Sequence, residues 1–292
     1  MAAAKSLRLG AHMSIAGGLE KAVARACEVE ATALQIFVKS ANQWAARPFA
    51  PGEVDRFRSS GLAAGLNRYT MAHTSYLINL ASPKPDLLER SRQALAVELE
   101  RCSLLGVPFL VLHPGSHVGE GEEAGLEAVA ASLDAVMGAT PGGGRDEVMI
   151  LLETTAGQGT NLGSSFEHLA AILDQAACRD RLGVCIDTCH LLAAGYEFRD
   201  PKSFRKMMKR FDEVIGLHRL RGVHINDSKT DIGSRKDRHD HIGDGFIGLE
   251  GFRPFVNDPR LREVPMVLET PKGDDLSEDR RNLALLRGLV GS

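Results

Sequence analysis

The 292 residues carry 35 Lys and Arg against 38 Asp and Glu, so no cationic excess announces a nucleic-acid partner, although carboxylates committed to metal ions would disguise one. Hydrophobic residues make up 43%, enough for a sizeable core, and no apolar run nears the roughly 18 residues needed to cross a bilayer. With no charged-then-apolar leader and five unpatterned cysteines (Cys27, Cys102, Cys178, Cys185, Cys189), the expectation is a cytoplasmic protein with reduced thiols and no membrane partner.

Leu7–His12 is a strand candidate, followed by Gly17-Gly18 and an amphipathic helix through about Glu30. Ala33–Val38 is a second strand; a loop with Lys39, Asn42, Gln43 and Trp44 then leads past Pro51 into a helix. Tyr69–His73 is a third strand, followed by the loop Thr74–Ser82 and a long helix from about Pro83 to Leu105. Pro108–His113 is the fourth strand, and a helix spans about Ala124–Met137. Gly142–Gly144 turns the chain into the fifth strand, Val148–Glu153, with a helix near Ser165–Ala177. The sixth strand, around Val184–Ile186, ends in Asp187-Thr188-Cys189-His190 and a loop containing Gly195. A helix covers about Pro201–Leu217, and Arg221–Ile225 is the seventh strand. The polar loop Asn226–Gly248 precedes a short helix near Leu249–Val256, the eighth strand Pro265–Glu269 and a last helix, Ser277–Leu289.

Eight strand-then-helix units without a composition break argue one domain over residues 1–292, a closed (β/α)8 TIM barrel. An open doubly wound sheet is the competitor, but Gly17-Gly18 is not its glycine-rich phosphate fingerprint.

In such a barrel the carboxyl ends of the strands meet over one mouth, where active sites lie. Here they deliver His12, His73, His113, Glu153, Asp187 with His190, His224 and Glu269, and the loop after strand seven adds Asp237 and His239. Any one of these is an ordinary polar residue near a loop. As a set they point to metal ligation, since apolar strands repeatedly finish in imidazole or carboxylate. Of the ten histidines, His168 and His218 alone fall on predicted helices. Imidazole with carboxylate suits zinc, manganese or iron rather than calcium or magnesium. The nine candidate ligands His73, His113, Glu153, Asp187, His190, His224, Asp237, His239 and Glu269 suit two or three ions sharing a bridging carboxylate. Cys185 and Cys189, flanking Asp187, are better explained as small buried packing residues than as soft ligands. Clustered divalent ions supply hydroxide near neutral pH and stabilise charge on phosphorus and on a departing alkoxide, which is the demand of phosphodiester hydrolysis.

These residues also carry a resemblance. Gly10-Ala11-His12-Met13-Ser14, His73-Thr74-Ser75-Tyr76-Leu77-Ile78-Asn79-Leu80, His113-Pro114-Gly115-Ser116-His117 and Glu153-Thr154-Thr155-Ala156-Gly157-Gln158-Gly159 resemble segments of the endonuclease IV family of abasic-site endonucleases. So do Asp187–His190, His224-Ile225-Asn226-Asp227, Asp237-Arg238-His239 and Leu268-Glu269-Thr270, and the match runs from about Leu7 to Glu269. The resemblance implies a TIM barrel with three zinc ions that cuts duplex DNA 5′ to an abasic site, leaving a 3′-hydroxyl and a 5′-deoxyribose phosphate. Manganese or iron would be substitutes.

By the same resemblance His73 and His113 hold one ion, Glu153 bridges to a second completed by Asp187, His224 and Glu269, and His190, Asp237 and His239 hold the third. A metal-bridging hydroxide would attack phosphorus, with Glu153 helping to place it. Asp187 would then sit inside the mouth and His190 one step outward on the loop.

Tyr76 and Leu77 match the family's wedge into the base stack, whereas Ile78 and Leu80 read as packing. Asn42, Trp44 and Arg238 are further DNA-facing candidates, and Lys39, Arg47, Lys229, Arg235 and Lys236 are candidates for phosphate contact. The chain departs from the family at Asn42, where arginine is frequent, and at Thr74, where aspartate sometimes stands. The alternative is a metal-dependent sugar isomerase or epimerase on a similar barrel, which needs Glu153, Asp187, His224 and Glu269 but not the additional histidines. A binding module with structural zinc fits less well, because such sites are closed and often cysteine-rich. A monomer is expected, since no apolar helix face is spare.

Overall fold

The computed structural model describes residues 7–139, 148–273 and 275–291; the turn expected at Gly142–Gly144 lies outside them. Eight parallel strands pair in chain order: Leu9–His12, Ala33–Phe37, Thr70–His73, Phe109–Leu112, Met149–Glu153, Leu182–Asp187, Leu220–His224 and Met266–Leu268. They are numbered one to eight in that order below. The first pairs with the eighth, Leu9 opposite Met266, and the sheet closes into a barrel. The strands are short and apolar because both faces are covered, one by the barrel interior and the other by helices.

Successive side chains along a strand point to opposite faces, and that alternation places the mouth chemistry. Ala33, Met71, Val111, Leu151, Cys185 and Val267 form a fully buried interior layer. Their neighbours, such as Ile150 and Leu152, turn outward into the larger cluster beneath the helices. Strands one and seven contribute Gly10 and Gly222 at the corresponding positions. A β-carbon on Gly10 would lie 1.8 Å from the Ala33 carbonyl oxygen, and one on Gly222 2.8 Å from the Met71 sulfur, so neither strand has room for a side chain there. Two residues beyond these positions stand His12, Gln35, His73, His113, Glu153, Asp187, His224 and Glu269. The polar ring therefore sits one step above an apolar plug.

Helices Leu19–Glu28, Glu53–Ala63, Pro85–Leu105, Glu122–Ala139, Phe166–Gln175, Pro201–Val214 and Ser277–Gly288 follow their strands much as expected. The helix expected near Leu249–Val256 is instead two short pieces, Gly248–Gly251 and Arg253–Asn257.

The expected loop after strand six is partly wrong. Thr188–Ala194 is a helix, capped by the Asp187 carboxylate, which accepts from the His190 N–H at 2.9 Å. Gly195, with φ of 105°, ends it in the left-handed conformation. The seven residues are almost uniformly buried, so they show no helical hydrophobic period. After strand seven, Asp227–Ser228 pairs antiparallel with His239–Asp240. The Asp227 carboxylate accepts from the N–H groups of Gly243 and Ile247, at 2.9 and 2.8 Å. This ribbon folds the polar loop back over the mouth and presents Asp237 and His239.

Candidate metal centre

The nine sequence-predicted ligands come together. Oε2 of the fully buried Glu153 lies 3.2 Å from His73 Nε2 and 3.0 Å from His113 Nε2, while its Oε1 lies 2.8 Å from His224 Nδ1. Each carboxylate oxygen thus faces a different group of imidazoles, the arrangement a bridging ligand requires. His224 Nδ1 is also 3.1 Å from Glu269 Oε2 and 3.9 Å from Asp187 Oδ2. His190 Nε2 is 3.1 Å from Asp237 Oδ2, and His239 Nε2 is 3.4 Å from Asp237 Oδ1. Two clusters match the grouping expected for the first two ions, His73 with His113 and Glu153, and Glu153 with Asp187, His224 and Glu269. The triad expected for the third ion, His190 with Asp237 and His239, does not form one such group: His190 and His239 group with Asp187, while Asp237 and His239 group with Cys189.

The hydrogen bonds on the far side of each ring show which nitrogen is free. We assign the Nδ1–H of His73 to the Thr74 carbonyl at 2.8 Å, that of His190 to the Thr154 carbonyl at 2.8 Å and that of His239 to the Glu269 carbonyl at 3.2 Å. Each ring then turns an Nε2 lone pair toward carboxylate oxygens. Two acceptors face each other stably only with a proton or a cation between them. Nε2 of His190 and of His239 are buried and lack a properly aligned hydrogen-bond partner despite their nearby carboxylates. This donor set fits borderline-soft divalent ions with open positions.

The electrostatics agree with a site that holds positive charge. Burial alone would raise the Glu153 carboxyl, but the His224 and His113 imidazoles hold it well below the usual range. Glu269 behaves likewise, chiefly through His224, and Asp237 is pushed down to about 2 because His190 overcomes its desolvation. Burial opposes charge on His73, His190 and His224, yet the carboxylates around the first two, and Cys185 followed by Glu153 and Glu269 around His224, carry all three above 6.5. A proton on these rings occupies the place a cation would take. Apparent metal affinity should therefore climb with pH across and beyond the ordinary imidazole range, roughly pH 6 to 8. Competition titrations against a chromophoric chelator would show this, and an affinity flat over that range would contradict it.

His190 does not sit outward on a loop. It occupies the first turn of the helix after strand six and is 1% exposed, as buried as Asp187. Lys39 is not free to meet phosphate, because it is 4% exposed and paired with Glu98. Arg47 is held by Glu53 through contacts of 2.8 and 2.7 Å. At the rim, Tyr76 is 66% exposed with its ring 5.9 Å from that of His73, Leu77 is half-buried, and Ile78 and Leu80 are buried. Asn42 and Arg238 are exposed, and Trp44 is half-buried with the Arg90 guanidinium 4.6 Å from its ring.

Sequence reasoning missed Gln35 and left Asn226 without a role. Gln35 Oε1 accepts from His224 Nε2 at 2.8 Å, while its Nε2 donates to Glu269 Oε1 at 2.6 Å and lies 3.0 Å from His12 Nδ1. It thereby fixes the His224 tautomer that leaves Nδ1 facing the carboxylates. Asn226 donates to Asp187 Oδ2 at 2.7 Å and accepts the Glu269 N–H at 2.7 Å. Replacing Gln35 by Met, which keeps its length without its amide, should weaken metal binding by about 10–100-fold with little change in fold. Zinc affinity at the wild-type value would remove Gln35 from the centre.

A family model described as a xylose isomerase-like TIM barrel matches residues 23–288. A protein named probable endonuclease 4 from Chloroflexus aurantiacus is 52% identical over 283 residues, covering 97% of this chain and 98% of its own. The chain belongs to the endonuclease IV family. The crystal structure of endonuclease IV from Thermus thermophilus superposes with a TM-score of 0.82 at 38% identity, covering 97% of this chain and 98% of that one. A D-tagatose 3-epimerase-like protein superposes at 0.71 with 16% identity over 96% of each chain, a likeness of fold alone. Membership in the endonuclease IV family implies dependence on metal, and the clustered donors above are the groups able to hold it. No described helix is long and apolar enough to cross a membrane.

Proposed function

We propose that the chain is a DNA-repair endonuclease that hydrolyses the phosphodiester 5′ to an abasic site in duplex DNA, giving a 3′-hydroxyl and a 5′-deoxyribose phosphate. In this reading three zinc ions are held by His73, His113 and Glu153, by Glu153, Asp187, His224 and Glu269, and by His190, Asp237 and His239. The observation that carries it is the split of the Glu153 carboxylate between two groups of imidazoles in a member of the endonuclease IV family. Bound divalent ions would make a water acidic enough to attack near neutral pH and would stabilise charge on phosphorus and the departing oxygen.

The chain's own residues prepare for this. Thr74, Thr154 and Glu269 orient imidazoles through their carbonyls, and Gln35 and Asn226 orient Glu269, His224 and Asp187. Tyr76 and Leu77, beside His73, would enter the stack where an abasic nucleotide swings out, since a missing base costs no unstacking. Asn42, Trp44 and the exposed Arg238 would flank the duplex, with Lys229, Arg235 and Lys236 near its phosphates. The partner is duplex DNA, bound by a monomer.

The sugar isomerase alternative is not favoured. It leaves His73, His113, His190 and His239 without a task. The test is incubation with an end-labelled abasic duplex, with and without chelator, followed by identification of the new termini. Chelator-sensitive incision leaving a 3′-hydroxyl is expected. An intact abasic duplex with metal-loaded protein, or isomerisation of a sugar, would overturn the reading.

A further inference from the structure

The loops after strands two and three, which carry Asn42 and Trp44 and then Tyr76 and Leu77, are tied to one helix behind them. Pro85–Leu105 turns a stripe of buried residues inward that includes Ser91, Glu98 and Arg101. Spacings of seven and three keep these polar groups on one face. Glu98, 1% exposed, accepts the Ser75 N–H at 3.1 and 3.3 Å and meets Lys39 Nζ at 3.3 Å. Lys39 in turn donates to the carbonyls of Gln43 and Ser40, closing its own loop around the ammonium.

Arg101 donates to the Val38 carbonyl at 2.7 Å and the Arg47 carbonyl at 2.9 Å, with its guanidinium 3.7 Å from the Phe49 ring. Ser75 Oγ bridges directly between the loops, donating to the Ala41 carbonyl at 2.7 Å and accepting from the Leu77 N–H at 3.3 Å. Ser91 accepts the Asn79 N–H at 3.0 Å at the far end of the second loop. Both loops are therefore fastened to each other and to one rigid element.

A buried ion pair is a poor source of stability, because desolvation consumes most of its attraction. What it supplies is direction: the ammonium has one place where its charge is met and its hydrogens are accepted. We propose that the Lys39–Glu98 pair is a positioning element that sets the two mouth loops in a common frame, so that one duplex meets both together. The proposal rests on the reading of the mouth as an abasic-DNA site and names residues for substrate placement that touch neither DNA nor metal.

The test uses the metal-loaded full chain. Lys39→Met with Glu98→Gln removes both charges while keeping side-chain length and an acceptor for Ser75, so no buried charge is left unpaired. This double variant should keep its metal content and its kcat within about twofold, while KM for abasic duplex rises about tenfold. Amide hydrogen exchange should accelerate at residues 75–80 as well as at 39–44, which a role confined to the loop of Lys39 would not produce. Ser75→Ala, a milder change that removes the bridge to Ala41 and the acceptor for the Leu77 N–H but leaves the ion pair in place, should shift both readouts in the same direction and serves if the double variant does not fold. Exchange altered at 39–44 alone, or unchanged KM, would overturn the proposal. Absence of incision by the wild-type protein would instead remove the functional reading, and the exchange measurement would still decide the coupling.

Discussion

Replacing Glu153 by Gln should abolish nearly all incision of an abasic duplex, a loss of about a thousandfold or more, while the barrel remains folded. The reason is the division of labour between its two oxygens. Oε2 lies 3.2 and 3.0 Å from His73 and His113, and Oε1 lies 2.8 Å from His224. An amide offers one oxygen and one NH2, so whichever way it turns it presents hydrogens to one imidazole group and to any cation there. The residue sits over the apolar layer and is isosteric with Gln, so packing is preserved. Elemental analysis should find fewer bound ions than in the wild-type protein. Incision at the wild-type rate would take Glu153 out of the mechanism.

The second large effect is expected at Asp187, where two functions can be separated. Oδ1 caps the helix Thr188–Ala194, and Oδ2 faces Asn226 at 2.7 Å and His239 at 3.5 Å. Asn caps helices about as well as Asp, whereas Ala costs about 1 kcal/mol in lost capping. Asp187→Asn should thus stay close to wild type in stability yet lose roughly a hundredfold in incision, because its NH2 would meet the Asn226 NH2 where a lone pair is needed. Asp187→Ala should show that loss together with a lower denaturation midpoint. Full activity in the Asn variant would mean that Asp187 serves only as a cap.

The barrel and most of its mouth were legible because a parallel barrel repeats a simple rule. Each apolar strand is read to its end, and the ends converge. Gln35 was passed over because an amide is not a chemistry-bearing side chain by itself; the signal was its place in the Ala33, Gln35, Phe37 alternation, one step above the plug. The helix after strand six was hidden by burial on all sides, so Asp-x-x-His looked like a loop when its spacing is that of a cap and the third helical residue. Lys39 looked like a phosphate contact because nothing local in sequence shows Glu98, which arrives from 59 positions later, on the helix Pro85–Leu105. Cationic side chains on a loop declare their charge in sequence but not the direction in which it is spent.

Ala33, Met71, Val111, Leu151, Cys185 and Val267 are packed as a buried layer across the barrel axis beneath the polar ring, so ions would reach the ring by the same opening that a duplex would cover. On the proposed function, loading of ions and docking of nucleic acid would then follow an order. Ions would enter first, and a docked duplex would trap them. Chelator added to a preformed complex with an uncleavable abasic duplex should strip zinc more slowly than from the free protein, and equal rates would mean a second way out.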